Sequence, residues 1–157
     1  MPDDTTTLPA PSIAAQLAAF AHGLTPDMLP AAVVEQAKLL MLDALGIALA
    51  SSQHDFAHCA YRGLRALGGA GDSAVMGAFA PLPLRDAVLM NGILVHGLDF
   101  DDTHPGAITH PSASAFPLAL GLAGAEMLIA RAVPAPREPT DSLGAFALVL
   151  FVQQLTD

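Results

Sequence analysis

Apolar residues recur along most of this chain at helical spacing. The clearest run is "PAAVVEQAKLLMLDALGIALASS", from Pro30 to Ser52. Val33, Ala37, Leu40, Ala44 and Ile47 follow 4-3-4-3 steps, and Val34, Met41, Leu45 and Ala48 flank them. That period predicts an amphipathic helix with Pro30 near its first position, and so wide an apolar face predicts burial on several sides. Upstream, Ser12 is placed to cap "SIAAQLAAFAHG", which ends near Gly23. A third helix is predicted over about 54–67, closed by the pair Gly68-Gly69. "GAGDSAVMGAFAPLP" reads as a loop with a short extended piece around Val75-Met76. Pro83 opens "PLRDAVLMNGILVHGLDF", in which Ala87, Met90, Leu94 and Leu98 share one helical face. Ser112 or Ser114 opens "SASAFPLALGLAGAEMLIA", where Pro117 is compatible only with the first turn. No alternating strand pattern and no repeat occurs. The expected fold class is all-α, preceded by a disordered lead-in over residues 1–11.

Composition sharpens this picture. At 157 residues the chain fits one domain with a real core. Its apolar fraction is 53% and only 13% of residues are charged, so little polar material is available to cover a surface. A sizeable apolar face is therefore expected to meet a partner subunit or further chain. The net charge of −9, with six Lys and Arg in all, argues against nucleic acid. No stretch reaches the roughly 18 uninterrupted apolar residues of a membrane span. The single Cys59 and the acidic, proline-bearing start point to a reducing compartment, and the expected location is cytoplasmic.

Ionisable chemistry gathers in "HGLDFDDTHPGAITHP", residues 96–111. It holds His96, His104 and His110, three of six histidines, together with Asp99, Asp101 and Asp102. Four readings compete. Asp101, Asp102 and Thr103 are ordinary capping residues for a polar turn. His96, Asp99 and His104 form a two-histidine, one-carboxylate set, but at no standard metal-ligand spacing. "DFDDT" matches the D-x-D-D-T pattern of alkene-protonating terpene cyclases, yet a chain without Trp and with one Tyr lacks the rings that stabilise a carbocation. The fourth reading is proton transfer on a carbon acid by a histidine and a carboxylate. The residues alone leave the substrate open.

The longer strings "NGILVHGLDFDDTH" and "THPSASAFPLALGLA" resemble the signature of the MmgE/PrpD family, and "LAAFAHGLTPDMLPAAVVEQAKLLMLDALGIALASS" resembles its opening helices. The likeness spans residues 12–126 in order. It implies a helical N-terminal domain, incomplete at its C-terminal end, that belongs to a homodimer and uses no metal or organic cofactor. The implied activity is lyase chemistry on small di- and tricarboxylates, by 2-methylcitrate dehydration or cis-aconitate-type decarboxylation. Asp99 and Thr103 fall on the family's active-site Asp and Thr, and His110 on the histidine of its His-Pro pair. His104 is a secondary candidate. Asp101 and Asp102 are assigned to loop structure first.

Two departures qualify what this chain does alone. A polycarboxylate needs cations around it, but the one lysine is Lys38, and no arginine among Arg62, Arg65, Arg85, Arg131 and Arg137 adjoins the motif. The resemblance implies that basic residues far downstream complete the site. From residue 127 the text diverges, with prolines at 134, 136 and 139 followed by an apolar run. The expectation is therefore a truncated chain, inactive alone. The alternative is a non-catalytic helical module that binds another subunit.

Overall fold

The structure, a computed structural model, describes residues 12–132. The expected lead-in and divergent tail lie outside the described residues, apart from the tail's first few positions. Five α-helices follow one another: α1 (Ile13–Gly23), α2 (Ala31–Ser51), α3 (Asp55–Gly68), α4 (Leu84–His96) and α5 (Pro111–Ala132), with a short 3-10 turn at Pro26–Met28. Extended pairing among the described residues is limited to two isolated bridges, Ser73 with Leu82 and His104 with Thr109. The fold is all-α, as the periodicity predicts.

α4 is the central element, packed against α2, α3 and α5, with α5 its largest neighbour. Its buried stripe of Ala87, Met90, Leu94 and Val95 meets Ala44 and Ala48 of α2, Ala57 of α3, and Phe116 and Ala119 of α5. Leu98 was expected to extend this stripe. Instead α4 ends at His96. The chain turns through a hydrogen bond from Asp99 N to His96 O, 2.9 Å, and Asp99 takes a left-handed φ of 57°. Leu98 thereby leaves the helix before it can join the core.

A buried asparagine fixes the segment between α3 and α4. Asn91 Oδ1 accepts from Met76 N at 2.8 Å, and its Nδ2 donates to Ala74 O at 3.1 Å. Val75 and Met76 are thus pinned into the core by a side chain of α4, while the extended pairing expected around them falls at Ser73 and Leu82. At the start of α4 the Asp86 carboxylate is buried and bonded to Arg85 at 2.8 Å. That hydrogen bond and the accompanying attraction hold Arg85 above its ordinary range.

α5 begins earlier than expected. Pro111 is its first residue, which puts Pro117 in the second turn. Proline there removes the donor that would satisfy the carbonyl of Ala113. The structure turns that loose carbonyl toward α4: a Cβ added at Gly92 would lie 2.9 Å from Ala113 O. The two helices approach closely because position 92 carries no side chain, a geometry in which Cα–H groups can face carbonyl oxygens.

The expected burial of α2 on several sides is not observed. Val33, Ala37, Ala44, Ile47 and Ala48 are buried, but Leu39, Leu42 and Leu49 are exposed. An open groove of about 710 Å³ runs along this face, lined by Leu39, Leu42, Gly46, Ile47, Leu98 and Phe100 among others.

Gly92→Ala is expected to destabilise the chain by about 1–3 kcal/mol, the usual penalty of overpacking. Alanine's better helix propensity, about 1 kcal/mol, offsets part of this. A urea titration followed by circular dichroism gives the sign, and an unchanged or raised midpoint would show that the α4–α5 approach is not tight.

Candidate active site

The two ends of one loop carry the site. His96 is the last residue of α4, and His110 immediately precedes α5, so pairing those helices brings the two imidazoles to a centroid separation of 4.7 Å, edge to face. Between them lies Asp101, whose side chain is 1% exposed. Its Oδ1 is 3.1 Å from His96 Nδ1 and its Oδ2 is 3.3 Å from the same nitrogen. His110 Nδ1 is also 3.3 Å from Asp101 Oδ1. That approach is an ionic contact without the direction of a good hydrogen bond, and His110 Nδ1 is otherwise buried and unpartnered. Asp99 lies outside this pair, its carboxylate mostly exposed and 3.9 Å from His110 Nε2.

The remaining loop residues hold the site in shape. Asp102 Oδ1 accepts from Ser112 N at 3.1 Å, so it caps the first turn of α5 from ten residues upstream. This cap accounts for the early start of that helix. His104 is largely buried; its Nδ1 accepts from Ala107 N at 3.0 Å and its backbone pairs with Thr109 at 2.9 Å. Thr103 is exposed, with its hydroxyl 3.5 Å from Asp101 O.

The structure therefore brings together His96, Asp99, Asp101 and His110, whose ligating atoms lie within 4.8 Å of one another. His104 is outside this group, so the set His96, Asp99 and His104 weighed from the sequence does not assemble: its ring serves the turn at 104–109. Thr103 reaches the group only through the Asp101 backbone. Sequence reasoning missed Asp101 as the hub and gave His96 no proton-transfer role. The i to i+5 spacing of these two residues matches no helical face, and their meeting depends on the turn at Asp99.

Chemically, an Nδ1 contact to a buried carboxylate orients an imidazole and leaves Nε2 for a reacting group. Two rings sharing one carboxylate can accept and deliver protons on neighbouring positions. The described ion pairs of Asp99 and Asp101 are with histidines, and no Lys or Arg among the described residues pairs with either.

The described part is a helical domain whose inter-helix loop holds a carboxylate between two histidines. The family comparison is specific: the MmgE/PrpD N-terminal domain matches residues 15–147. The chain belongs to the MmgE/PrpD family. It is 34% identical over 116 residues to the cis-aconitate decarboxylase of Homo sapiens, covering 73% of this chain and 24% of that protein. The Mus musculus cis-aconitate decarboxylase is 31% identical over 116 residues, 73% of this chain and 23% of its own length. The chain thus spans about a quarter of the curated relatives it matches. No solved structure matches it.

Replacing Asp102 by Ala is expected to lower stability by about 1 kcal/mol through loss of the α5 cap, whereas Asp102→Asn keeps the acceptor and most of that stability. Denaturant midpoints compare the two. Equal losses in both variants would mean that the charge of Asp102, and not its capping oxygen, is what the fold uses.

Proposed function

We propose that this chain supplies the histidine–aspartate part of a lyase site acting on a small di- or tricarboxylate, with cis-aconitate-type decarboxylation favoured over 2-methylcitrate dehydration. The observation that carries the reading is Asp101, buried between the Nδ1 atoms of His96 and His110 at 3.1 and 3.3 Å. The likeness to two cis-aconitate decarboxylases supports the choice of reaction.

In decarboxylation the C–C bond breaks, carbon dioxide leaves, and the electron pair stays on carbon until a proton arrives. His110 is assigned as the donor of that proton through Nε2, the edge facing Asp99. Asp101 acts as a positioning residue: it holds the ring and steadies the imidazolium that precedes transfer. His96, tied to the same carboxylate, restores the proton to the pair. Dehydration would use the same groups in a different order, one ring removing the α-proton and the other protonating the departing hydroxyl. Thr103 and Asp99 are assigned to substrate carboxylate and ring orientation respectively.

A multiply charged substrate also needs cations, and the described residues offer none at the site. The proposal places those cations outside the described residues, so residues 12–132 alone are not expected to turn over. The homodimer belongs to the same reading. The exposed Leu39, Leu42 and Leu49 of α2 support an apolar dimer face, and light scattering across a concentration series reads the oligomeric state. No helix among the described residues is long and apolar enough to cross a membrane. The free, exposed Cys59 supports the proposed cytoplasmic location.

The decisive experiment replaces the corresponding segment of the human cis-aconitate decarboxylase with residues 15–147 of this chain and follows cis-aconitate by proton NMR. Turnover is expected, with His110→Ala lowering kcat by about 10²–10⁴, the usual worth of a positioned acid or base. Turnover that His110→Ala leaves intact would sink the assignment.

A further inference from the structure

The same four residues have a second property that proton transfer does not use. In a tetrahedral site with metal–ligand bonds of about 2.0–2.1 Å, neighbouring donor atoms lie about 3.3 Å apart. His96 Nδ1 and Asp101 Oδ1 are 3.1 Å apart, and His110 Nδ1 and Asp101 Oδ1 are 3.3 Å apart. Two of the three edges of one face of such a site are therefore already in place, and the third lies within the group's 4.8 Å limit. Asp99 completes the group of four, all within 4.8 Å, and its exposed carboxylate can turn inward without disturbing the core.

Three further observations point the same way. Asp101 is almost wholly buried, so its charge cannot be met by bulk water. His110 Nδ1 is buried with no well-directed hydrogen bond, an electron pair or N–H that the protein leaves unused. Finally, two carboxylates share this spot while the described ion pairs bring no lysine or arginine to them, a charge that a divalent ion balances. Two imidazoles with carboxylates favour borderline ions such as zinc or cobalt over calcium or magnesium, which prefer all-oxygen sets.

We propose that His96, Asp101 and His110, with Asp99 as the fourth donor, form a binding site for a zinc-class divalent ion. The ion is not a cofactor in this account. It occupies the nitrogen electron pairs that a proton would otherwise take, so zinc inhibits where these groups move protons. That consequence rests on the lyase reading above; the binding itself does not. The site escapes a search for ligand spacing because its donors come from a helix end, a turn and the residue before the next helix.

The test is a titration of the untagged 157-residue chain with Co²⁺, read in the visible spectrum. The expected result is the intense absorption of four-coordinate cobalt, displaced by Zn²⁺. His96→Ala and His110→Ala should each weaken binding by at least about tenfold, the scale of losses around metal sites. His58→Ala, an exposed histidine of α3, should change nothing. His96 is half exposed at a helix end, so its truncation leaves the core intact. A wild-type chain showing only the weak spectrum of six-coordinate cobalt would overturn the proposal, as would an intense band unaffected by either variant. Because the readout is a spectrum, its failure leaves the lyase reading standing, and a failed turnover assay leaves this site standing.

Discussion

The close approach of α4 and α5 is the constraint on which the rest depends. Gly92 offers no Cβ, Pro117 frees the carbonyl of Ala113, and that carbonyl faces the bare backbone of α4. The pair then acts as a clamp on the loop between them. His96 ends one helix and His110 precedes the other, so the distance between two imidazoles is set by helix packing and not by loop preference. A loop of this length costs chain entropy to close; the buried contacts of Met90, Leu94, Phe116 and Ala119 offset that cost away from the chemistry.

Electrostatics gives the site its second character. A carboxylate with its side chain 1% exposed needs partners, and the structure supplies two histidines in place of a lysine or arginine. A permanent cation would hold the aspartate in one state. Histidines instead make the balance depend on whether a proton, or an ion, is present. The same choice leaves the region anionic, in a chain of net charge −9. On the lyase reading, attraction of a polycarboxylate falls to groups beyond these helices. Proton chemistry and substrate charge recognition are thus divided between different stretches of polypeptide.

The helices were legible because each depends on local period and punctuation. Val33, Ala37, Ala44 and Ile47 are buried as their spacing predicts, and Pro30, Gly68 and Pro83 mark real boundaries. What was not legible depends on tertiary geometry. Leu98 fits the stripe of α4 in register, but the left-handed turn at Asp99 ends that stripe first. Pro117 looks like a first-turn residue until the cap from Asp102, ten residues away, starts the helix earlier. Within the candidate site, the histidines and aspartates that cluster in the sequence also cluster in space, and Asp99 and His110 meet at 3.9 Å. The placements of Asp101 and His104 were not legible in the sequence. Their difference is one of burial and direction: one side chain turns between the rings, the other into its own turn.

Part of the apolar excess lies on α2 beside the loop, where Leu39 and Leu42 share a groove with Leu98 and Phe100. Phe100 is 77% exposed, and burying a side chain of that size is worth about 1.5–3 kcal/mol. Leu98 and Phe100 are also the two neighbours of Asp99. A surface that covers this groove therefore touches both sequence neighbours of Asp99.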